Sequence, residues 1–174
     1  MIRPVTRADA TTWCALRTAL WPEGSAEEHA MEIERFFWSA EAPAACLVAE
    51  MEDGVVGFVE LSIRTYAEGC DTDRIGYLEG WYVAPAWRRR GIGRALVQAA
   101  EHWAQAHGCR EFASDTPLDN VTGQAAHQAL GFTESERIVC YHKPLRASAP
   151  TAHGVPSASP ARTDLHARRT PFHH

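Results

Sequence analysis

The residues of this sequence that could do chemistry begin with a loop of arginines and glycines, Arg88-Arg89-Arg90-Gly91-Ile92-Gly93. A strand-like run ends before the loop at Val83, and a helical pattern begins near Gly91. The first turn of a helix carries unpaired backbone N–H groups and the positive end of the helix dipole, so it attracts phosphate. Because glycine lets a phosphate approach the backbone and arginine adds positive charge, this loop predicts a phosphate site.

Other interpretations of the loop are disfavoured by its sequence and position. A dinucleotide fingerprint would need a glycine at Leu96, and a Walker loop would need Gly-Lys followed by Ser or Thr. A basic run on its own usually indicates a solvated cluster or a localisation signal, but this one lies at a strand-to-helix junction. Nucleic-acid binding is disfavoured because residues 1–145 hold 13 of the 17 basic and 21 of the 22 acidic residues, a net charge of −8.

Two carboxylates lie on predicted strands. Glu79 interrupts an otherwise apolar strand between Leu78 and Gly80, where a carboxylate needs a partner or water. Asp115 ends a neighbouring strand, and strand ends are a usual position for ligands in open sheets. Because an acidic body attracts cations, the chain suits a polycationic substrate better than a phosphate-rich one.

The elements that position these residues follow from hydrophobic periodicity. We predict strands at residues 2–5, 44–51, 55–64, 75–83 and 110–115, helices at 8–20, 25–38, 91–107 and 120–130, and one or two closing strands within 132–145. Asp9 is a predicted cap of the first helix, and Ser25 with Glu28 has the form of a capping box. The order β-α-α-β-β-β-α-β-α-β predicts an α/β fold with a mixed sheet.

Length and composition favour a single catalytic domain. A chain of 174 residues, 45% of them hydrophobic, can bury one substantial core, which we place in residues 1–145. Residues 146–174 are rich in Ala, Pro, Ser, Arg and His and are expected to form a mobile tail. The sequence shows no signal-peptide pattern and no apolar run long enough for a membrane span, so a cytoplasmic protein is expected. The five cysteines include no C-x-x-C pair, which fits neither a disulfide framework nor a zinc site, and they predict reduced thiols in packed positions.

The loop and the elements around it resemble the GNAT superfamily of N-acetyltransferases, whose signature Arg/Gln-x-x-Gly-x-Gly/Ala matches Arg88 to Gly93. The resemblance implies acetyl-CoA as the cosubstrate, with its pyrophosphate on the backbone amides of the loop and its pantetheine arm along the preceding strand. The residues that it assigns to this cosubstrate are Trp81, Tyr82, Val83, Arg89, Arg90, Gly91, Ile92, Gly93, Arg94 and Asn120.

A narrower resemblance is to the aminoglycoside 6'-N-acetyltransferases, which confer antibiotic resistance. The matching segments are Leu20-Trp21-Pro22, Gly69-Cys70-Asp71, Tyr77-Leu78-Glu79-Gly80, Gly108-Cys109-Arg110-Glu111, Ala113-Ser114-Asp115-Thr116, His127-Gln128-Ala129-Leu130-Gly131-Phe132, Glu134 and Glu136-Arg137. Aminoglycosides are polyamines on a sugar frame, which carboxylates and aromatic faces recognise. The resemblance implies a homodimer and substrate contacts through Trp21, Tyr66, Glu79, Asp115 and Glu136.

Direct acetyl transfer needs a neutral amine, a donor for the developing oxyanion and a route for the proton. We expect the backbone N–H of Val83 to polarise the acetyl carbonyl, and Glu79 or Asp115 to take the proton directly or through water. Tyr141 is the candidate to protonate the departing thiolate, by resemblance to a tyrosine of related acetyltransferases. A covalent route through Cys109 is disfavoured, because nothing near it in sequence marks an activated thiol.

Two other functions stay open from the sequence alone. One is an acetyltransferase whose acceptor is a polyamine, a peptide or another small amine. The other is a non-catalytic module that binds acyl-CoA without turnover, although the intact set Glu79, Asp115 and Tyr141 argues against it. In each case the expected partner is a small molecule, and neither a nucleic acid nor a membrane.

Overall fold

The computed structural model describes residues 1–38 and 44–144. Backbone contacts divide the chain into two units, Met1–Glu136 and Arg137–His174. The helices and strands of the described residues all lie in the first unit, with short 3-10 turns before α1 and after β4. They are β1 (Ile2–Pro4), α1 (Ala10–Leu20), α2 (Ala26–Trp38), β2 (Ala44–Met51), β3 (Gly54–Arg64), β4 (Ile75–Val83), α3 (Ile92–Ala106), β5 (Glu111–Ser114) and α4 (Val121–Ala129).

The five strands form one mixed sheet in the order β1-β2-β3-β4-β5. The first three pairings are antiparallel, whereas β4 and β5 are parallel and are connected through α3. An antiparallel region followed by a β-α-β unit is the predicted α/β fold, which is therefore confirmed. The parallel pairing is short, so β4 extends well beyond the end of β5.

Helices cover both faces of the sheet and hold β4 between them. On one face Trp13 of α1 and Ile33 of α2 pack against Phe58 of β3, and none of the three is more than 2% exposed. On the other face Leu96 of α3 packs against a cluster that includes Leu78 of β4. Burying a side chain of this size stabilises the fold by roughly 2 kcal/mol.

The predicted helix caps are confirmed at α2 and wrong at α1. Glu28 N donates to Ser25 Oγ at 3.2 Å, and Ser25 N donates to Glu28 Oε2 at 3.0 Å, which is a capping box. Asp9 does not cap α1, because its carboxylate accepts hydrogen bonds from Arg3 and from Thr6 N. Hydrogen bonds from Arg3 hold the pKa of Asp9 well below its usual range. Asp9 thus joins β1 to the turn before α1.

The closing strand that was predicted within residues 132–145 is wrong for the part that the structure describes. No strand forms between Phe132 and Pro144. Ile138, Val139 and Tyr141 are 45%, 70% and 93% exposed. These side chains therefore lack the burial that stabilises a strand. The predicted tail, residues 146–174, lies outside the described residues, and its boundary stays a prediction.

Cys46 and Cys109 are buried, as the prediction of packed thiols requires, whereas that prediction is wrong for Cys140, which is exposed. Burial raises the pKa of the Cys109 thiol, which therefore lacks the character of an activated nucleophile. Within residues 1–38 and 44–144, no group of three or more His, Cys, Asp or Glu side chains is arranged to hold a metal ion. None of the helices in the same ranges has the length and apolar character that crossing a bilayer requires.

Candidate active site

The arginine and glycine loop lies in the connection between β4 and α3. Arg89 and Gly91 have φ values of +62° and +79°, which turn the chain sharply into the helix. The first hydrogen bond within α3 runs from Ala95 N to Gly91 O at 3.0 Å. The amides of the preceding turn therefore have no carbonyl within the helix to bind, and they point out of its N-terminal end. This geometry can hold a phosphate group on backbone N–H donors.

The side chains of two loop arginines already have partners within the protein. Arg88 Nε donates to Val83 O at 2.8 Å. The Arg90 guanidinium lies 4.9 Å from the centroid of the Trp87 ring, a cation–π contact. Backbone amides are consequently the better-defined phosphate donors of this loop, and the arginines stabilise its conformation.

Gly93 meets a packing requirement that sequence analysis did not identify. A Cβ at this position would lie 2.8 Å from Cζ2 of the Trp81 indole, closer than real contacts allow. Trp81 projects from β4, and its ring packs edge-on against His127 of α4 with centroids 5.6 Å apart. Glycine at position 93 therefore allows the first turn of α3 to approach β4 closely.

The outer half of β4 has an open backbone edge. β5 pairs with β4 only from Ile75 to Leu78, whereas β3 remains paired through Val83. Ala84 N donates to β3 at 2.9 Å, and hydrogen bonding alternates along an antiparallel pair. The N–H groups of Trp81 and Val83 therefore point away from β3, toward the edge that β5 leaves open. This edge can pair with an extended chain such as a pantetheine arm.

Glu79 occupies a β-bulge in β4. Gly80 pairs with Glu60 of β3, and Leu78 pairs with Leu61, so Glu79 is the extra residue between two consecutive positions of the partner strand. Bulges redirect side chains and often lie next to functional sites. The bulge explains how a carboxylate can leave an otherwise apolar strand without entering the core.

The Glu79 carboxylate is held by two side chains of β3. Arg64 donates from Nε to Oε1 at 2.9 Å and from Nη2 to Oε2 at 2.5 Å, and Ser62 Oγ donates to Oε1 at 2.5 Å. The guanidinium carbon of Arg64 also lies 3.4 Å from the centroid of the Tyr77 ring. The Tyr77 hydroxyl donates to Asp115 Oδ1 at 2.7 Å. The structure thus joins Glu79 and Asp115, the two predicted carboxylates, in one network.

Trp21 lies beside this network. Its ring packs on Gly80, where a Cβ would lie 2.5 Å from the indole Cη2. The Arg17 guanidinium is 5.1 Å from the ring centroid, and His29 Nε2 lies 3.1 Å from the Trp21 carbonyl oxygen. The structure therefore places an aromatic face next to the residue that follows Glu79.

Tyr66 and Glu136 are exposed residues of the first unit. Tyr66 lies in the loop between β3 and β4 and is 69% exposed. Ser135, the neighbour of Glu136, contacts Gly69 of the same loop so closely that no Cβ would fit there. The structure therefore brings the chain segment of Glu136 to the loop of Tyr66. It does not give either side chain a contact with Glu79.

Glu111 of β5 anchors this loop, which was not predicted. Its carboxylate accepts from Asp71 N at 3.0 Å and from Thr72 N at 2.7 Å, and also from the Thr72 hydroxyl. These hydrogen bonds, chiefly that of the Thr72 side chain, lower the pKa of Glu111. No signal local to the sequence indicates this anchor, because the partners are about 40 residues apart.

Two further residues have defined positions but untested roles. Asn120 caps α4: its Oδ1 accepts from Gly123 N at 2.9 Å, and its Nδ2 donates to Thr116 Oγ1 at 3.1 Å. Tyr141 belongs to the second unit, and its side chain is exposed. The predicted CoA contact of Asn120 and the predicted acid role of Tyr141 stay predictions.

Comparison with known proteins agrees with this geometry. A model of the acetyltransferase (GNAT) family matches residues 12–132. An aminoglycoside N(6')-acetyltransferase type 1 of Klebsiella aerogenes is 51% identical over 147 residues, which cover 83% of this chain and 97% of that protein. A protein of the same name from Stenotrophomonas maltophilia is 43% identical over 150 residues, covering 85% and 95%.

Solved structures give the same result. The aminoglycoside antibiotic 6'-N-acetyltransferase AAC(6')-IG from Acinetobacter haemolyticus has a TM-score of 0.78 and 38% identity, covering 84% of this chain and 99% of that chain. AAC(6')-Iy in complex with the bisubstrate analog CoA-S-monomethyl-acetylneamine has a TM-score of 0.77 and 36% identity, covering 83% and 98%. The chain belongs to the GNAT family of acetyltransferases and, within it, to the aminoglycoside 6'-N-acetyltransferases.

Proposed function

We propose that this protein transfers the acetyl group of acetyl-CoA to the 6'-amine of aminoglycoside antibiotics and so confers resistance to them. The observation that carries the proposal is the similarity, over more than four fifths of the chain, to relatives named for this activity. The geometry supports it, because a loop with free backbone amides, an open strand edge and a carboxylate network lie around one strand, β4. The cytoplasmic location stays a prediction.

The residues on the loop side of β4 suit acetyl-CoA, which supplies the acetyl group as an activated thioester. In this proposal the amides at the start of α3 bind its pyrophosphate, and the open edge of β4 pairs with its pantetheine arm. The N–H of Val83, directed to that edge, is the proposed donor to the developing oxyanion. The proposed contacts are Trp81, Tyr82, Val83, Arg89, Arg90, Gly91, Ile92, Gly93, Arg94 and Asn120.

The other side of β4 suits a polyamine acceptor. Glu79 and Asp115 supply negative charge for ammonium groups, and Trp21 supplies an aromatic face on which a sugar ring can rest. Tyr66 and Glu136 are the proposed outer contacts. The acceptor amine attacks the thioester carbonyl as the neutral base, and Glu79 or Asp115 takes its proton directly or through water. Tyr141 is the proposed donor to the leaving thiolate.

The proposal is tested with a pair of acceptors that differ at one group. Neomycin carries an amine at the 6' position and paromomycin carries a hydroxyl there. The enzyme should therefore release CoA from acetyl-CoA faster with neomycin than with paromomycin. CoA release is measured with a thiol reagent, and the acetylated position is established by NMR of the product. Equal turnover of the two acceptors would exclude 6' selectivity. Faster turnover of spermine or of a peptide amine would favour the alternative acceptors.

A homodimer is the proposed assembly. Light scattering coupled to size-exclusion chromatography measures the molar mass of the purified chain, which is 19.2 kDa for one copy. A mass that stays at this value across the concentrations used for the kinetic assays would contradict the dimer.

A further inference from the structure

Arg64 is a permanent cation within a site that is proposed to bind a polycation. Its side chain and that of Glu79 are 29% and 27% exposed, so the pair is largely removed from water. A guanidinium so close to the acceptor site repels ammonium groups unless a carboxylate offsets its charge. A surface ion pair on its own contributes little to stability, so a stabilising role does not explain why Arg64 lies in this site.

The contacts of Arg64 define the orientation of Glu79. A carboxylate has about four positions at which it can accept hydrogen bonds. Arg64 and Ser62 together occupy three of them. A two-pronged guanidinium contact also fixes the plane of the carboxylate, which a lysine cannot do. Glu79 is thus left with one accepting position, and the direction of that position is set by Arg64.

The same guanidinium links Glu79 to the second carboxylate of the site. In the register of β3 and β4, Arg64 lies opposite Ile75, and Tyr77 is the diagonal neighbour that the arginine must cross to reach Glu79. The guanidinium therefore lies flat on the Tyr77 ring, whose hydroxyl is bound to Asp115. Arg64 therefore contacts Glu79 directly and is connected to Asp115 through Tyr77.

We propose that Arg64 is a positioning residue that holds the Glu79 carboxylate in one orientation and joins it, through Tyr77, to Asp115, so that the acceptor meets both carboxylates as one preorganised unit. The kinetic test of this inference rests on the proposed function. It concerns a residue that neither the phosphate loop nor the predicted substrate contacts include. Its action is on the acceptor and not on acetyl-CoA, because the network lies on the side of β4 that faces away from α3.

The test is the substitution Arg64→Lys, which keeps the charge and removes the fork and the flat stacking. Because misplacing a site by about 1 Å can cost about 100-fold, we expect kcat/KM for neomycin to fall between about 10-fold and 100-fold. The KM for acetyl-CoA should stay within about twofold of wild type. Arg7→Lys is the matched control, since Arg7 also combines an ion pair, with Glu34, and a cation–π contact, with Trp38, and both partners belong to α2. It should leave both parameters unchanged.

A double-mutant cycle separates positioning from general stability. If Arg64 acts through Glu79, Arg64→Lys introduced into the Glu79→Gln variant should lower kcat/KM by less than about twofold, because the carboxylate that it orients is already gone. Full additivity of the two losses would overturn the proposal. The proposal would also be overturned if the Arg64→Lys single variant had the same kcat/KM as the wild-type protein. If Arg64→Lys fails to fold, Ser62→Ala, which removes another donor to Glu79, takes its place in the same cycle.

A structural measurement keeps this inference distinct from the proposed function. If the wild-type protein acetylates no aminoglycoside, the proposed function fails, and crystal structures of the wild-type and Arg64→Lys proteins then test the positioning alone. We expect the Glu79 side chain to adopt an altered or split orientation in the variant. A Glu79 carboxylate that keeps its orientation without the fork would overturn the inference whatever the enzyme acts on.

Discussion

Replacing Glu60 with glutamine should remove a pH-dependent component of stability. Glu60 lies on β3 beneath α1, where Trp13 Nε1 donates to its Oε1 at 2.8 Å and Arg17 Nη1 lies 3.2 Å from the same oxygen. The carboxylate side chain is only 16% exposed. Burial raises the pKa of Glu60 to about 7, against an opposing effect of the Arg17 charge. Glutamine preserves the shape and can still accept from Trp13.

The sign and size of the effect follow from the two pKa values. The folded protein holds the proton of Glu60 up to a pKa of about 7, whereas the ordinary value of the carboxyl is 4.5. The stabilisation by this proton is therefore complete below pH 4.5 and is lost as the pH rises through 7. At about 1.4 kcal/mol for each pKa unit, the free energy of unfolding should fall by about 3 kcal/mol across this window.

The assay is chemical denaturation at several pH values between 4.5 and 8.5. The difference in unfolding free energy between wild type and Glu60→Gln should change by about 3 kcal/mol from the lowest to the highest pH, in favour of the variant at high pH. Glu32→Gln is the control: Glu32 binds the same arginine but is 49% exposed, so its curve should parallel that of wild type within about 0.5 kcal/mol. Parallel curves for wild type and Glu60→Gln would refute the reasoning.

Two other substitutions test the architecture around β4. Gly93→Ala places a methyl group against the Trp81 ring. We expect the free energy of unfolding, measured by thermal unfolding, to fall by about 1 to 3 kcal/mol, and the KM for acetyl-CoA to rise. Wild-type values of both quantities would contradict the packing described. Glu111→Gln weakens the anchor of the loop before β4 at Thr72, so KM for the acceptor should rise with little change in kcat. Because the pKa of Glu111 is lowered, the wild-type anchor should persist above the ordinary carboxyl pKa and be lost only as the pH falls through the lowered value.

The sequence predicts most of the fold because its signals are local. The bounds of β2 and β4 agree with the predicted ones, since each is a compact apolar run next to a turn signal. Gly108 ends α3 with a φ of +80°, as a glycine after the last periodic residue predicts. The segment after α4 misled the prediction, because a strand needs a neighbour that buries its apolar side chains, and Ile138, Val139 and Tyr141 are exposed. Asp9 misled it because Arg3, outside the helix, competes for the carboxylate.

The candidate site is predictable in its charged residues and not in their partners. Glu79 is evident as a carboxylate within an apolar strand, and Glu60 carries the same signal and could have been found by it. Arg64 is not evident, because its contact with Glu79 depends on the register of two strands and on the position of a bulge. Sequence spacing sets neither of these, so the pairing that determines the orientation of the carboxylate appears only in the folded chain.

The bulge at Glu79 also explains why an aromatic ring and a carboxylate lie side by side in the acceptor site. In a regular strand, consecutive side chains point to opposite faces, so residues 79 and 80 could not both face α1. The extra residue places the Glu79 carboxylate beside Ser62, on the face where Glu60 binds Trp13, and it leaves Gly80 under Trp21 on the same face. Position 80 must then lack a side chain, because the indole fills the space that a Cβ would take. The proposed pairing of charge and aromatic surface therefore depends on one inserted residue followed by one glycine.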